Sequence, residues 1–277
     1  MFYLALAILS STMITLLMHV SEKYSKNSIS MLATNYLMCL LLSFLFTGTP
    51  NLFPAVDGVP LAMGMGVING ILFLGGFVLL QWNISKNGVV LPATFMKLGV
   101  LVPTILAIAV FGESPRLTQI IGILAAIAAI LVINGGGKQE ATSTLGLILL
   151  LLGGGSGDAM SKIYEEVGPA ALKDHFLLYT FAVALILCIL LCILRRQSIA
   201  PADILFGLAI GIPNYFSARF LLLSLENVPA VVAYPSYSVG TIVMVALGGV
   251  IFFREKLSRR KLAALGIILA ALVLLNL

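Results

Sequence analysis

Residues 111–133 read FGESPRLTQIIGILAAIAAILVI, and residues 253–275 read FREKLSRRKLAALGIILAALVLL. Each stretch begins with Phe-x-Glu and continues into an apolar run rich in alanine and glycine. At an offset of 142 residues Glu113 aligns with Glu255, and upstream the Val-Val pair at 89–90 aligns with the pair at 231–232. Self-similarity at a fixed offset is the signature of an internal repeat. The pattern therefore predicts two related halves.

The composition around these stretches is that of a membrane protein. Of the 277 residues, 60% are hydrophobic and 10% are charged, and the mean hydropathy is +1.12. Soluble domains carry about 25% charged residues, so this chain has too few to cover a water-exposed surface. The apolar residues form runs of about 20, the length that crosses a hydrocarbon core. We therefore expect an integral multi-pass protein of a bilayer, with the bacterial inner membrane as its expected location.

Several other classes are disfavoured. The net charge of +5 comes from basic residues in short loops, where membrane proteins keep them, so we expect no nucleic-acid partner. Cys39, Cys188 and Cys192 lie inside apolar runs without metal-ligand spacing, which predicts neither a metal site nor a redox role. We expect no cofactor, since there is no ATP-binding motif. The first apolar run lacks a basic leader and a cleavage site, so it is interpreted as a span.

Glycine, proline and charged residues divide the chain into ten predicted spans. They are 2–21, 30–48, 59–82, 88–111, 116–134, 143–162, 173–194, 203–226, 229–252 and 259–277. The polar stretch 135–142 predicts a linker between an N-terminal five-helix repeat (1–134) and a C-terminal one (143–277). Because five is odd, the second repeat enters from the opposite side. We predict an all-α membrane protein of ten transmembrane helices in two inverted five-helix repeats, with substrate bound near the midplane between them.

The chain resembles the EamA type of the drug/metabolite transporter superfamily over its whole length. The resemblance rests on the two sets of five spans and on the Gly112-Glu113 loop before an alanine-rich last span. The second copy has Arg254 where glycine is usual, and the first span has Ser10-Ser11-Thr12 where the family often has Trp-Gly. The resemblance implies a secondary active transporter, an exporter or exchanger, that works by alternating access. Members carry amino acids, nucleotide sugars, sugar phosphates, quaternary amines or drugs.

Four titratable residues are candidates for chemistry inside the spans. Lys97 lies about nine residues into span four, and Arg219 about seven residues from the end of span eight. Charges at such depth face a cavity or a partner, and two cations could clamp an anionic group. Asp158, in a Gly-Ser-Gly-Asp string, is interpreted as a partner of Arg219 or as a proton-coupling group. His19 is a candidate proton relay beside Glu22, although a lone histidine is more often structural.

The remaining candidate substrate-binding residues are amides and tyrosines near the middle of spans: Asn69, Asn214, Tyr215, Tyr234, Tyr237 and Tyr36. Buried amides must find hydrogen-bond partners, so Asn69 and Asn214 either join helices or face a cavity. Pro92, Pro213 and Pro235 interrupt spans and free backbone carbonyls, or merely kink helices. These groups favour a small polar substrate that is amino-acid-like or anionic. No catalytic residue is predicted.

Two alternatives to a metabolite transporter remain open. One is a membrane-embedded enzyme that modifies lipids or metabolites, which no nucleophile–base pair supports. The other is a multidrug or quaternary-amine transporter of the same fold. We expect a monomer rather than a dimer. Odd-numbered loops hold eleven lysines and arginines and even-numbered loops three, Arg116, Lys162 and Lys173, which predicts both termini outside. The family resemblance implies both termini inside.

Overall fold

The computed structural model describes residues 1–48, 51–87, 92, 95–96, 98–134, 143–196, 198–254, 259–275 and 277. Within these ranges the regular structure is entirely helical, which confirms the predicted fold class. The α-helices are α1 (Phe2–Ser21), α2 (Ser28–Phe46), α3 (Val59–Asn87), α4 (Leu101–Ala109), α5 (Leu117–Asn134), α6 (Thr144–Val167), α7 (Lys173–Leu194), α8 (Pro201–Ser224), α9 (Ala230–Phe253) and α10 (Arg259–Leu275). A 3-10 turn, Ala170–Leu172, precedes α7.

The helices follow the predicted spans within a few residues. In the described ranges, seven of the segments are long and apolar enough to cross a bilayer, and α5 and α10 add shorter apolar helices. The largest difference is at the end of α3, which continues to Asn87. Asn83 and Asn87 are buried there because their amides hydrogen-bond to the start of α6, at Gly146 and Ser143. Polar residues that suggest a loop are thus satisfied inside a helix.

The chain forms two compact units that differ from the two halves of the sequence. The first unit contains residues 1–74 and 163–224, and the second contains 75–162 and 225–277. Each unit therefore draws helices from both halves.

In the first unit, two helix pairs make the same contacts at corresponding positions. Gly207 and Gly211 of α8 lie against α2, where a Cβ on Gly211 would meet Met38 Cβ at 2.5 Å and the carbonyl oxygen of Asn35 at 2.6 Å. Gly66 and Gly70 of α3 lie against α7 in the same way. A Cβ on Gly70 would meet the carbonyl oxygen of Thr180 at 2.6 Å and Val183 Cβ at 2.8 Å.

The correspondence between these pairs is residue by residue. Adding 145 converts the α2 positions 35 and 38 into the α7 positions 180 and 183, and α8 glycines follow α3 glycines by 141. Small residues four apart let helix backbones approach closely in a bilayer, where dispersion contacts drive association. The first unit is therefore built from one helix-pair design used twice, with α2 taking the place of α7 and α3 that of α8.

In the second unit, glycines of α6 make the close contacts. Gly153 lies against Gly76 of α3, with 3.3 Å between its carbonyl oxygen and the position of a Cβ on Gly76. A Cβ on Gly99 would meet Gly155 N at 2.9 Å. The Gly-Ser-Gly-Asp string thus lies in a helix whose glycines serve packing, in agreement with the packing interpretation rather than the protease-like one.

Glycine packing predicts a stability difference between two similar substitutions. Gly211→Ala places a methyl group against the α2 backbone, and we expect it to destabilise the protein by about 1–3 kcal/mol because the core is overpacked. Gly64→Ala in α3 is the control, since no atom lies within 4 Å of its Cβ position. Thermal unfolding in detergent measures both, and equal melting temperatures for the two variants would contradict the packing.

Candidate functional site

An ion pair joins α7 and α8 near one end of the first unit. Arg219 donates from Nε to Oδ1 of Asp174 at 2.7 Å and from Nη2 to Oδ2 at 3.1 Å. The guanidinium also lies 4.6 Å from the ring centre of Phe46. The side chains of Arg219 and Asp174 remain 21% and 28% exposed. The result is a bidentate pair beside an aromatic ring, open to a small ligand.

This ion pair corrects two expectations about charge. The partner of Arg219 is Asp174 and not Asp158, and Asp174 lies in the first turn of α7 rather than in a loop. Because Asp174 neutralises Arg219, the guanidinium does not act as an uncompensated cation. The pairing has a sequence signal: α7 and α8 are joined by a short loop, and the two residues lie about equally far from it. Lys97 lies outside the described residues.

A group of aromatic rings extends from Phe46 into the core of the first unit. Phe46 stacks on Tyr215 at 5.7 Å between ring centres, and Tyr215 lies 6.2 Å from Phe181. Phe181 in turn contacts Tyr36 at 6.3 Å and Phe73 at 6.1 Å. The predicted site residues Tyr36 and Tyr215 are therefore brought into one aromatic cluster, and Tyr36 is buried rather than placed at the membrane interface.

The two predicted amides each join a helix pair of the first unit. Asn69 Nδ2 lies 3.4 Å from Thr180 Oγ1, and Asn214 Nδ2 donates to Asn35 Oδ1 at 3.2 Å. Both residues therefore join helices. Within the described part of the chain, Asn69 Oδ1 and the Tyr215 hydroxyl are buried without a hydrogen-bond partner. Unsatisfied buried polar atoms are costly and often mark a place where water or a ligand binds.

A second charged site lies in the second unit, at the start of α9. The carboxylate of Glu113 accepts the backbone N–H groups of Ala230 and Val231, each at 3.0 Å, and the ammonium of Lys162 at 2.9 Å. Pro229 O accepts the next two N–H groups, so the first turn of α9 is fully satisfied. Lys162 was expected in a loop, but it lies in α6 and is buried.

Glu113 is held in its ionised form. Burial opposes ionisation, but the hydrogen bond from Val231, the Lys162 ammonium and the hydrogen bond from Ala230 outweigh it and lower the pKa of Glu113 below its ordinary value of 4.5. The positive end of the α9 dipole favours the same charge state. The carboxylate is thus a permanent anchor rather than a proton carrier near neutral pH.

The other candidates are spread over both units. Tyr234 and Tyr237 lie in α9, and the Tyr234 hydroxyl donates to the carbonyl oxygen of Asp158 at 2.7 Å. Both Tyr234 and Asp158 belong to the second unit. His19 lies in the first unit, with its ring 3.9 Å from Glu22 at an exposed position. In the described ranges, no group of three or more His, Cys, Asp or Glu residues has a metal-binding arrangement.

Comparison with known proteins places the C-terminal half. Residues 142–277 match the model of the EamA-like transporter family. This half is an EamA-like domain. Over nearly the whole chain the protein is also similar to an uncharacterized protein of Haemophilus influenzae, at 22% identity over 96% of this chain and 93% of the relative. A protein of known crystal structure shares the fold, with a TM-score of 0.76 and 16% identity over 99% of this chain and 94% of the other.

The EamA-like half departs from the family pattern at Arg254, and the structure explains what this residue must do. Gly112, before Glu113, has a φ of 69°, a left-handed conformation that glycine adopts without strain. Arg254 occupies the corresponding position before Glu255 and has a φ of 54°. The arginine therefore keeps the backbone geometry of the glycine at a steric cost, about 1 kcal/mol or slightly more.

Restoring the family glycine should stabilise the protein. We expect Arg254→Gly to raise the free energy of unfolding by about 0.5–1 kcal/mol, because the strain disappears. Arg254→Ala is the control, since it removes the same charge and keeps the strain. Thermal unfolding in detergent separates the two, and equal stabilities would contradict strain at this position.

Removing the Glu113 charge should destabilise the protein in a pH-dependent way. Glu113→Gln leaves Lys162 buried and unpaired, and we expect a loss of about 3 kcal/mol at neutral pH. The lowered pKa means that the unfolded chain takes up the proton more readily. The stabilisation by Glu113 is therefore complete above about pH 4.5 and declines as the pH falls further.

The pH dependence is measured by chemical unfolding of the wild type and Glu113→Gln from pH 7 to pH 3.5. Glu22→Gln is the control, because Glu22 is exposed. A difference between the wild type and Glu113→Gln that stays constant over this range would show that the carboxylate charge is not involved.

Proposed function

We propose that the protein is a secondary transporter that moves a small, amino-acid-like metabolite across a bilayer by alternating access. The observation that carries the proposal is the EamA-like C-terminal half, because that family is one of transporters. The repeated helix pairs of the first unit support it. Two versions of one design give a protein two alternative arrangements of similar energy, which alternating access requires.

The ion pair favours a zwitterion over a net anion as the substrate. Asp174 and Arg219 present opposite charges side by side, and both are partly exposed. A net anion would gain from Arg219 but be repelled by Asp174. A zwitterion can place its carboxylate beside the guanidinium and its ammonium beside the carboxylate. The Phe46 ring then offers apolar surface to the rest of the molecule.

Counterflow in proteoliposomes tests this function. Vesicles loaded with a mixture of the twenty unlabelled amino acids are placed with one radiolabelled amino acid at a time, and uptake is compared with that of protein-free vesicles. We expect uptake of at least one labelled amino acid. Its N-acetyl derivative, a net anion, and its methyl ester, a net cation, should each compete about tenfold less well, because either loses one complementary charge.

Two variants identify the role of the ion pair. Asp174→Asn leaves Arg219 uncompensated, so competition by the N-acetyl derivative should improve relative to the amino acid. The double variant Asp174→Arg, Arg219→Asp keeps a pair and should keep the preference for zwitterions. Equal competition by all three probes in the wild type would contradict the substrate class. If vesicles loaded with a metabolite extract also keep their contents, measured by mass spectrometry, transport itself is contradicted.

A further inference from the structure

Helix α9 is held at its two ends by different neighbours. Its first turn is bound by Glu113, and Tyr234 is bound to the backbone of Asp158 in α6. From Val239 onwards, α9 packs into a core of small and apolar side chains on α5 and α10. This core contains Ala126, Ala129, Val239, Ile268 and Ala271. The N-terminal end of α9 is thus tied to α6, and the remainder to α5 and α10.

Pro235 lies between these two attachments, inside the helix. Proline has no backbone N–H and its ring collides with the carbonyl four residues earlier, which is that of Val231, so the hydrogen-bond ladder is interrupted here. Sharp bends in helices occur at such positions. A change of helix direction at Pro235 breaks fewer hydrogen bonds than a bend elsewhere in α9.

The neighbouring span is interrupted at the same level. Pro92, Phe95, Met96 and Leu98 are helical, whereas Gly99 and Val100 form a turn before α4 begins. The interruption was expected at Pro92 and lies instead at Gly99. Gly99 approaches Gly155 of α6 so closely that a side chain would not fit.

A small cavity separates the two interrupted helices. Val100, Leu101 and Thr104 line it on the α4 side, and Pro235, Ser238 and Val239 line it on the α9 side, with α5 completing the wall. It has room for about one water molecule. Its lining is mostly apolar, so side chains around it lack some of the contacts that close packing would give. The cavity leaves space into which α9 can move.

We infer that Pro235 is a hinge at which the N-terminal end of α9 moves with α6 relative to the segment packed on α5 and α10. Bending re-aims Tyr234, before the proline, relative to Tyr237, after it. Closure of the cavity restores the lost packing in one of the two positions. The inference rests on the proposed function, because the hinge provides the conformational change that transport requires.

Distance measurements between two spin labels test the hinge in lipid nanodiscs. The labels are placed at Asn227→Cys, just before α9, and Leu269→Cys, exposed on α10, in a background in which Cys39, Cys188 and Cys192 are alanine. We expect two distances in the parent protein. Pro235→Ala restores the hydrogen-bond ladder and should reduce the second population about tenfold. Pro213→Ala, at the interior proline of α8, is the matched control and should leave both populations.

Ala126→Val tests the cavity independently, because it fills the space without changing α9. It should also reduce the second population, so the hinge remains testable if Pro235→Ala fails to fold. A single distance in the parent protein, or two unchanged populations in either folded variant, would overturn the inference. Two distances in a protein that shows no counterflow would contradict the proposed function and leave the hinge standing.

Discussion

A bilayer core offers no hydrogen-bond partners, so every buried polar group of this chain must be satisfied by the protein itself. The start of α9 shows the consequence, since Glu113 and Pro229 together accept its first four N–H groups. Asp203 does similar work elsewhere, as its carboxylate accepts from the hydroxyl of Ser25 and from three backbone N–H groups. Charged residues near helix ends therefore act chiefly as caps, and only the pair on α7 and α8 is exposed enough to meet a ligand.

The same environment explains why glycine determines the packing. Helices in lipid gain little from the hydrophobic effect, so they associate through close backbone contact. Gly66, Gly70, Gly207 and Gly211 supply that contact in the first unit. Larger side chains at these positions would separate the helices that carry Asn69, Asn214 and the aromatic cluster. Packing glycines thus hold the candidate binding residues in place without touching a substrate.

The sequence predicted the parts of the fold that depend on local pattern. Apolar runs located the helices, since a span needs a continuous run of apolar residues. The shared Phe-x-Glu pattern located Glu113, although its partners Ala230 and Lys162 could not be predicted because they lie far along the chain. The Asp174–Arg219 pair was missed because Asp174 sits at a span boundary, where charged residues usually face water. The interruption at Gly99 was missed because proline is the stronger signal for a break.

The charges of the candidate site matter most for the substrate. An arginine inside a span suggests an anion when it is considered alone, but Asp174 changes the net charge of the site to zero. A paired guanidinium binds an anion weakly, because the ligand must compete with the carboxylate already bound in bidentate geometry. A ligand with both charges meets no such competition, since it replaces each half of the pair with an equivalent partner. The pairing therefore moves the expected cargo from an anion towards a zwitterion.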